Sequence, residues 1–303
     1  MIALFTGAVS IGGASILVRL SQTGPTATAF WRGCLALPFL GLWALLEPAS
    51  KRVPGAGPTG RAGLRWVAAG LFFAADLALW NWSLLLTSVA ASTLEANLAP
   101  LFVTFFLWLF YRERPTARFL VATAFALGGM LLMVSPKFGH GGAAFVGDAL
   151  ALGAAVFFAA YILAVASLRV RYGTGIVMFN STLVFAVALL PLALRQKFVP
   201  DTPSGWATVA GCALVAQVFG QGLVAYALAH LSPTFGSLGL LVQALGAATA
   251  AWLVLGEHLS PIQMVGALVI VGAIALARSA SQPAKPVQTA APVAAESLGV
   301  LRD

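Results

Sequence analysis

Long apolar runs, interrupted only by short clusters of Gly, Pro and charged residues, organise this chain from Ile2 to Arg278. Ten runs stand out, at about 2–19, 27–46, 64–86, 89–110, 118–135, 145–168, 174–194, 206–229, 233–255 and 262–278. A helix of about 20 apolar residues crosses a hydrocarbon core of about 30 Å. The pattern therefore predicts an all-α integral membrane protein with ten spanning helices. Short segments alternating with period two, the mark of a membrane barrel, are not seen. The breaks carry turn chemistry: Gln22-Thr23-Gly24-Pro25, Glu47-Pro48, Pro136 to Gly142, Arg171-Tyr172-Gly173, Pro200 to Pro203, Ser232-Pro233 and Ser260-Pro261. The first run has no basic stretch before it and is too long for a signal-peptide core, so it reads as a retained span. Residues 279–303, rich in Ala, Pro, Gln and Ser, read as a disordered cytoplasmic tail.

Composition sharpens this. At 60% hydrophobic and 9% charged, with mean hydropathy +0.94, the chain lacks the polar surface of a soluble domain. The net charge of +8 is spread over short clusters between runs, which argues for topology signals and against nucleic-acid binding. With a cytoplasmic N-terminus, twelve Lys and Arg fall in inside loops and the tail, among them Lys51, Arg52, Arg112, Arg114 and Arg171. Only Arg19, Lys137, Arg195 and Lys197 fall outside, so the bias predicts both termini in the cytoplasm. Cys34 and Cys212 lie within apolar runs and imply neither a disulfide nor a metal framework. His140, His230 and His258 sit at span ends, far apart, and there is no phosphate-binding Walker sequence. The reading is of a protein that is not an enzyme, needs no cofactor or metal, and does no ATP-driven work by itself.

The run ending Leu109-Phe110-Tyr111-Arg112-Glu113-Arg114-Pro115-Thr116 is echoed by Leu253-Val254-Leu255-Gly256-Glu257-His258-Leu259-Ser260-Pro261, about half the folded chain further on. Each joins two apolar helices through a glutamate and a proline. Five helices per half is an odd number, so the halves must be inverted relative to each other around a central cavity. The expected organisation is a first five-helix repeat over 1–140, a second over 141–278, and the tail.

These stretches resemble the ten-helix drug/metabolite transporter superfamily, in its EamA-type branch. Phe30-Trp31-Arg32, Leu84 to Ser92, and Leu98-Ala99-Pro100-Leu101-Phe102 complete the likeness. Within that family, Trp80-Asn81-Trp82-Ser83 and Leu94-Glu95-Ala96-Asn97 look closest to the bacterial YddG-type exporters of aromatic amino acids. The resemblance implies export of small metabolites from the cytoplasm across the bacterial inner membrane.

An ionisable group inside a span is costly and needs a partner or a wet cavity. Arg32, Asp76 and Glu95 are three such groups. A rise of about 1.5 Å per residue puts all three about 8–15 Å below the same membrane edge. They either form a structural ion pair or face substrate: a carboxylate at Arg32, an ammonium at Asp76 or Glu95. Asn180, Gln217, Gln221, Tyr226 and Gln243 add neutral polar groups in the second half, either as helix–helix hydrogen bonds or as cavity lining. Trp80, Asn81, Asn97, Tyr161 and Trp252 join the candidates, whereas Trp66, Trp82 and Trp206 suit the interfacial belt. Asp148 reads as a helix N-cap. Pro100 in the fourth run and Gly246 in the ninth are the expected hinges for alternating access. The function expected is secondary export of aromatic and other hydrophobic amino acids by a monomer or homodimer in the bilayer. The competing readings are efflux of organic cations or other metabolites on the same scaffold and, more remotely, a non-transporting membrane protein or enzyme.

Overall fold

A computed structural model describes residues 1–48, 60–86, 95–134, 144–256 and 260–280. Every regular element among them is helical. The elements are α1 (Ile2–Gly13), α2 (Ser15–Arg19), α3 (Pro25–Leu46), α4 (Gly60–Leu86), α5 (Ala99–Tyr111), α6 (Ala117–Val134), α7 (Ala144–Arg169), α8 (Thr174–Ala193), α9 (Pro203–Cys212), a π-helix (Ala213–Gln221), α10 (Gly222–Ala227), α11 (Pro233–Gly239), a 3-10 turn (Leu240–Val242), α12 (Gln243–Leu255) and α13 (Pro261–Ala280). Six stretches are long and apolar enough to cross a membrane: Pro25–Leu46, Gly63–Ser83, Phe145–Arg169, Thr174–Ala193, Pro203–Ala227 and Pro233–Val254. Shorter apolar helices occupy Ile2–Val18, Ala99–Phe110, Ala117–Leu132 and Pro261–Ala277.

Helix starts follow local chemistry. Pro25, Pro203 and Pro233 stand in first turns, where the missing N–H is harmless. Thr202 Oγ1 accepts from Gly205 N at 3.1 Å and Ser232 Oγ from Phe235 N at 3.3 Å, relieving two unpaired helix donors. Stops are as local: α5 and α12 both end on a left-handed residue, Arg112 (φ 55°) and Gly256 (φ 67°). These are the helix ends whose sequences echo one another. Glu257 and the loop 49–59 lie outside the described residues, as do 87–94 and the tail beyond 280.

Several expected runs are broken where hydropathy alone shows continuity. The first divides at Ala14. Glu95 and Ala96 are helical, then a turn at Asn97-Leu98 precedes α5. The eighth run changes from α to π and back, and the ninth passes through the 3-10 turn. Apolar runs report burial in lipid or protein but not the hydrogen-bond register, so these breaks leave no mark in hydropathy. Asp148 is also not a cap: α7 starts at Ala144, and Asp148 is inside its second turn.

Helices pack as long pairs: α3 antiparallel to α8, α4 antiparallel to α7, and α6 along α13, with α1 lying on α12 and on the π-helix. Small residues set the separations. A Cβ at Gly12 would overlap the Gln243 carbonyl, and one at Gly246 would overlap the backbone of Val9, so α1 and α12 touch main chain to main chain. Trp66, Phe185, Leu4, Leu40, Met130 and Ile270 fill the interior. Trp66, expected at the interface, is only 2% exposed and packs edge-on against Tyr172, because α4 turns that face toward α7 rather than outward. Trp82 is exposed, as an interfacial residue would be, and Trp206 packs edge-on against Trp31.

Candidate functional site

The interior between α3, α4, α7, α8 and the start of the π-helix is aromatic with a charge set into it. Phe73 of α4 stacks on Tyr161 of α7, with centroids 4.5 Å apart and planes at 18°. Phe185 of α8 meets Phe73 edge-on at 5.2 Å, and Phe158 extends the stack at 6.1 Å from Tyr161. Arg32 of α3 lies over this floor, its Cζ 5.5 Å from the Phe73 centroid. A guanidinium on a ring face gains cation–π attraction. Its Nε and Nη2 are nevertheless shut off from solvent and meet no acceptor.

Asp76 stands one helical turn beyond Phe73 and, with Cys212 and Tyr161, is within electrostatic reach of Arg32. Among the described residues no hydrogen-bonded ion pair joins Arg32 to Asp76. A purely structural salt bridge pairs its charges directly, since a buried guanidinium with unmet donors costs several kcal/mol by the usual order of magnitude. The Tyr161 hydroxyl is turned to the Met178 sulfur at 3.9 Å.

A second polar pole lies on the π-helix. Gln217 is fully buried; its Nε2 donates to Thr182 Oγ1 at 2.9 Å, and its Oε1 has no donor. Thr182 is one turn from Phe185 on α8, so this amide faces the same interior as the aromatic floor. Gln221 is also buried, one turn on, but Tyr226 is 44% exposed and lies tilted against His230 with centroids 5.0 Å apart. The two glutamines, four residues apart, face inward, whereas Tyr226, five residues beyond Gln221, falls about 140° further round by the helical repeat and faces outward.

Glu95 parts from the other charges. The charge that acts on it is that of Asp148, on the first turns of α7. Gly153 faces Leu79 where α4 and α7 meet, so Asp148 lies nearer the C-terminal end of α4 than the Arg32 floor does. Glu95 Oε2 and Asn81 Nδ2 are buried there without partners. Trp80 is half-buried beside them, its carbonyl accepting from Ser83 Oγ at 2.7 Å. Gln243 Nε2 donates to Asn97 Oδ1 at 3.0 Å, tying the turn before α5 to the one before α12. Asn180 only bonds back to the Ile176 carbonyl of its own helix, at 2.8 Å. Trp252 is exposed. Pro100 opens α5 directly after the turn, and Gly246 is held against Val9 rather than left free.

Sequence reasoning passed over Phe73, Thr182 and Arg169. The first two look like ordinary span residues. Arg169 reads as a topology charge, yet it is 6% exposed, with Nε donating to the Ala225 carbonyl at 3.1 Å and Nη1 to the Tyr172 carbonyl. Its position directly after an unbroken apolar run was the available signal. Among the described residues no group of three His, Cys, Asp or Glu is placed to hold a metal.

Comparison with known proteins gives three results. The EamA-like transporter family matches this chain twice, over residues 1–135 and 145–279. The pseudopaline exporter CntI of Pseudomonas aeruginosa, in two strains, is 26% identical over 212 residues, covering 69% of this chain and 73% of the relative. A protein of known crystal structure superposes with a TM-score of 0.76 at 18% identity, over 93% of this chain and 98% of that one; the two share a fold.

Proposed function

The chain belongs to the EamA-like transporter family, within the drug/metabolite transporters, and from that premise we propose that it exports amino-acid-type metabolites across a bacterial inner membrane. It is a multi-pass membrane protein related to an exporter of small metabolites. Aromatic and other hydrophobic amino acids are the favoured cargo in this reading. The carrying observation is the Arg32 guanidinium, with two unmet N–H donors over an aromatic floor and a carboxylate nearby. Arg32 receives the substrate carboxylate through charge-assisted hydrogen bonds. Asp76 faces the ammonium. The stack of Phe73, Tyr161 and Phe158 presents its apolar edges to the side chain, and Gln217 Oε1 offers an acceptor at the second pole. The face of Phe73 is already covered by a cation, which favours an anionic group on the cargo over an organic cation.

Ten spans in two inverted five-helix repeats, with both termini in the cytoplasm, form the proposed scaffold. The double family match and the matching left-handed ends of α5 and α12 support it. Bending occurs at the turns before those two helices, next to Pro100 and near Gly246, and alternately opens each end of the cavity. Glu95, Asn81, Trp80, Asn97 and Gln243 line the path toward one of those ends. No phosphate-binding loop is involved, so an ion gradient or exchange drives uphill export.

The test is flux of labelled L-phenylalanine, L-tryptophan and L-leucine from liposomes holding the purified chain. Saturable flux is expected, with at least a tenfold loss in folded Arg32→Gln and Asp76→Asn. Flux of a quaternary ammonium but of none of the amino acids overturns the reading.

A further inference from the structure

α3 and α8 run antiparallel, and each is followed by a side chain that caps the other. Beyond the end of α3, Glu47 Oε1 accepts the Gly175 N–H at 3.0 Å, in the first turn of α8. Beyond the end of α8, Gln196 Oε1 accepts the Thr26 N–H at 2.9 Å and the Ala27 N–H at 3.4 Å, in the first turn of α3. Gln196 Nε2 also donates to Thr26 Oγ1 at 3.2 Å. The first N–H groups of a helix have no acceptor of their own, so a flank that supplies one ties its helix to the partner's end.

The two clasps match in position. Glu47 stands as far past Gly24 as Gln196 stands past Gly173, and Thr26 and Gly175 each follow those glycines by the same step. Gly24 and Gly173 are the N-caps, with φ −62° and ψ 156° in one and φ −62° and ψ 159° in the other. A Cβ at Gly24 would overlap the Gln196 side chain, and one at Gly173 would overlap the Glu47 carboxylate. Both glycines are thus the seats on which the capping side chains rest. Between the clasps, Gly33 meets Phe185 and Ala186, Gly41 meets Phe179, and Gly175 meets the backbone of Ala44, so the pair is close along its whole length.

We infer that Glu47 and Gln196 are positioning residues that hold α3 and α8 together as one spine through the transport cycle. Splaying or sliding the pair breaks a hydrogen bond at a helix end, whichever end moves. α3 carries Arg32 and α8 carries Thr182 and Phe185, so the clasps fix two walls of the polar interior while α5 and α12 move around it. The effect on transport rests on the export reading; the spine itself does not, and is read without ligand.

The experiment uses the full chain in liposomes, with nitroxide-bearing unnatural amino acids at Leu45 and Leu183 on exposed faces of α3 and α8. A second pair, at the exposed Trp108 and Trp252, reports α5 against α12. Pulsed EPR distances are recorded without ligand and with L-phenylalanine. The Leu45–Leu183 distribution is expected to be at least twofold narrower than the other and unmoved by L-phenylalanine. Glu47→Ala should broaden it about twofold and lower flux about tenfold. Glu47→Gln should keep both wild-type distance and flux, because an amide oxygen already does this work at the other clasp. A wild-type Leu45–Leu183 distribution as broad as that of Trp108–Trp252 overturns the spine. So does a Glu47→Gln chain that loses the narrow distance, even if Glu47→Ala fails to fold. Absent L-phenylalanine flux in the wild type counts against the export reading alone, since the ligand-free distances still decide the spine.

Discussion

The two ends of the α3–α8 pair are closed by the same geometry but different chemistry. At one, the acceptor is the carboxylate of Glu47, within electrostatic reach of the buried Arg169, which also holds the carbonyls of Ala225 and Tyr172. At the other it is the neutral amide of Gln196, beside a network of neutral groups. There, Gln22 Oε1 accepts from Asp201 N at 3.1 Å and Thr202 N at 3.2 Å, and Trp31 Nε1 donates to the Phe198 carbonyl at 2.7 Å. The first residues capped also differ: Gly175 at the charged end, Thr26 at the neutral one. The lesson is that a helix end needs an acceptor, not a charge. The carboxylate at Glu47 therefore answers a second demand, the burial of Arg169.

The comparison is broken most severely by putting a side chain at Gly175. Its Cβ would overlap the Ala44 backbone, which cannot rotate away, so Gly175→Ala should cost about 3 kcal/mol, measured by unfolding in mixed detergent. Thr26, in the matching place, already carries a side chain, so Thr26→Ala should cost far less. Glu47→Ala comes next, at about 2 kcal/mol, because it removes a cap and leaves the Arg169 charge less compensated. Glu47→Gln should recover about half of that loss, and the difference between the two variants measures the charge apart from the cap. Gln196→Ala should cost about 1 kcal/mol in the same assay, a cap without a charge. If the two clasps lost equal stability on conversion to Ala, the Arg169 argument would fail. The smallest effect is expected at the exposed Lys197–Asp201 pair beside the neutral clasp: Asp201→Asn should change stability by no more than about 0.5 kcal/mol, a difference that shrinks further as salt is added.

Most helices lie within a few residues of their apolar runs, because a run of hydrophobic residues states directly which segments avoid water. Depth counting along the runs also brings Arg32 to the neighbourhood of Asp76, since both stand on unbroken helices. It fails for Glu95, which precedes the turn at Asn97-Leu98 and whose neighbour is Asp148. Tyr226 does not share a face with Gln217 and Gln221 even at the α period, because five residues carry it about 140° round from Gln221, and it is exposed. The clasps were beyond local reading for another reason. Glu47 and Gly175 are 128 residues apart, and Gln196 and Thr26 are 170 apart. In sequence, each is a polar residue at a break. Only the equal spacing of glycine and acceptor in the two halves carried any trace of them.

The π-helix over Ala213–Gln221 bears on how this chain tolerates changes of length. In an α-helix the removal of one residue turns everything beyond it by about 100°, which in a packed span carries each inward side chain out of place. A π-helix closes its hydrogen bonds one residue further back, so it holds a residue that α geometry does not need. Deleting one position here lets the segment relax to α while α9 and α10 keep their seats. Homologous chains one residue shorter are therefore expected to carry their gap within 213–221, and an alignment that puts it elsewhere in this span shifts by one every residue between that place and the π-helix.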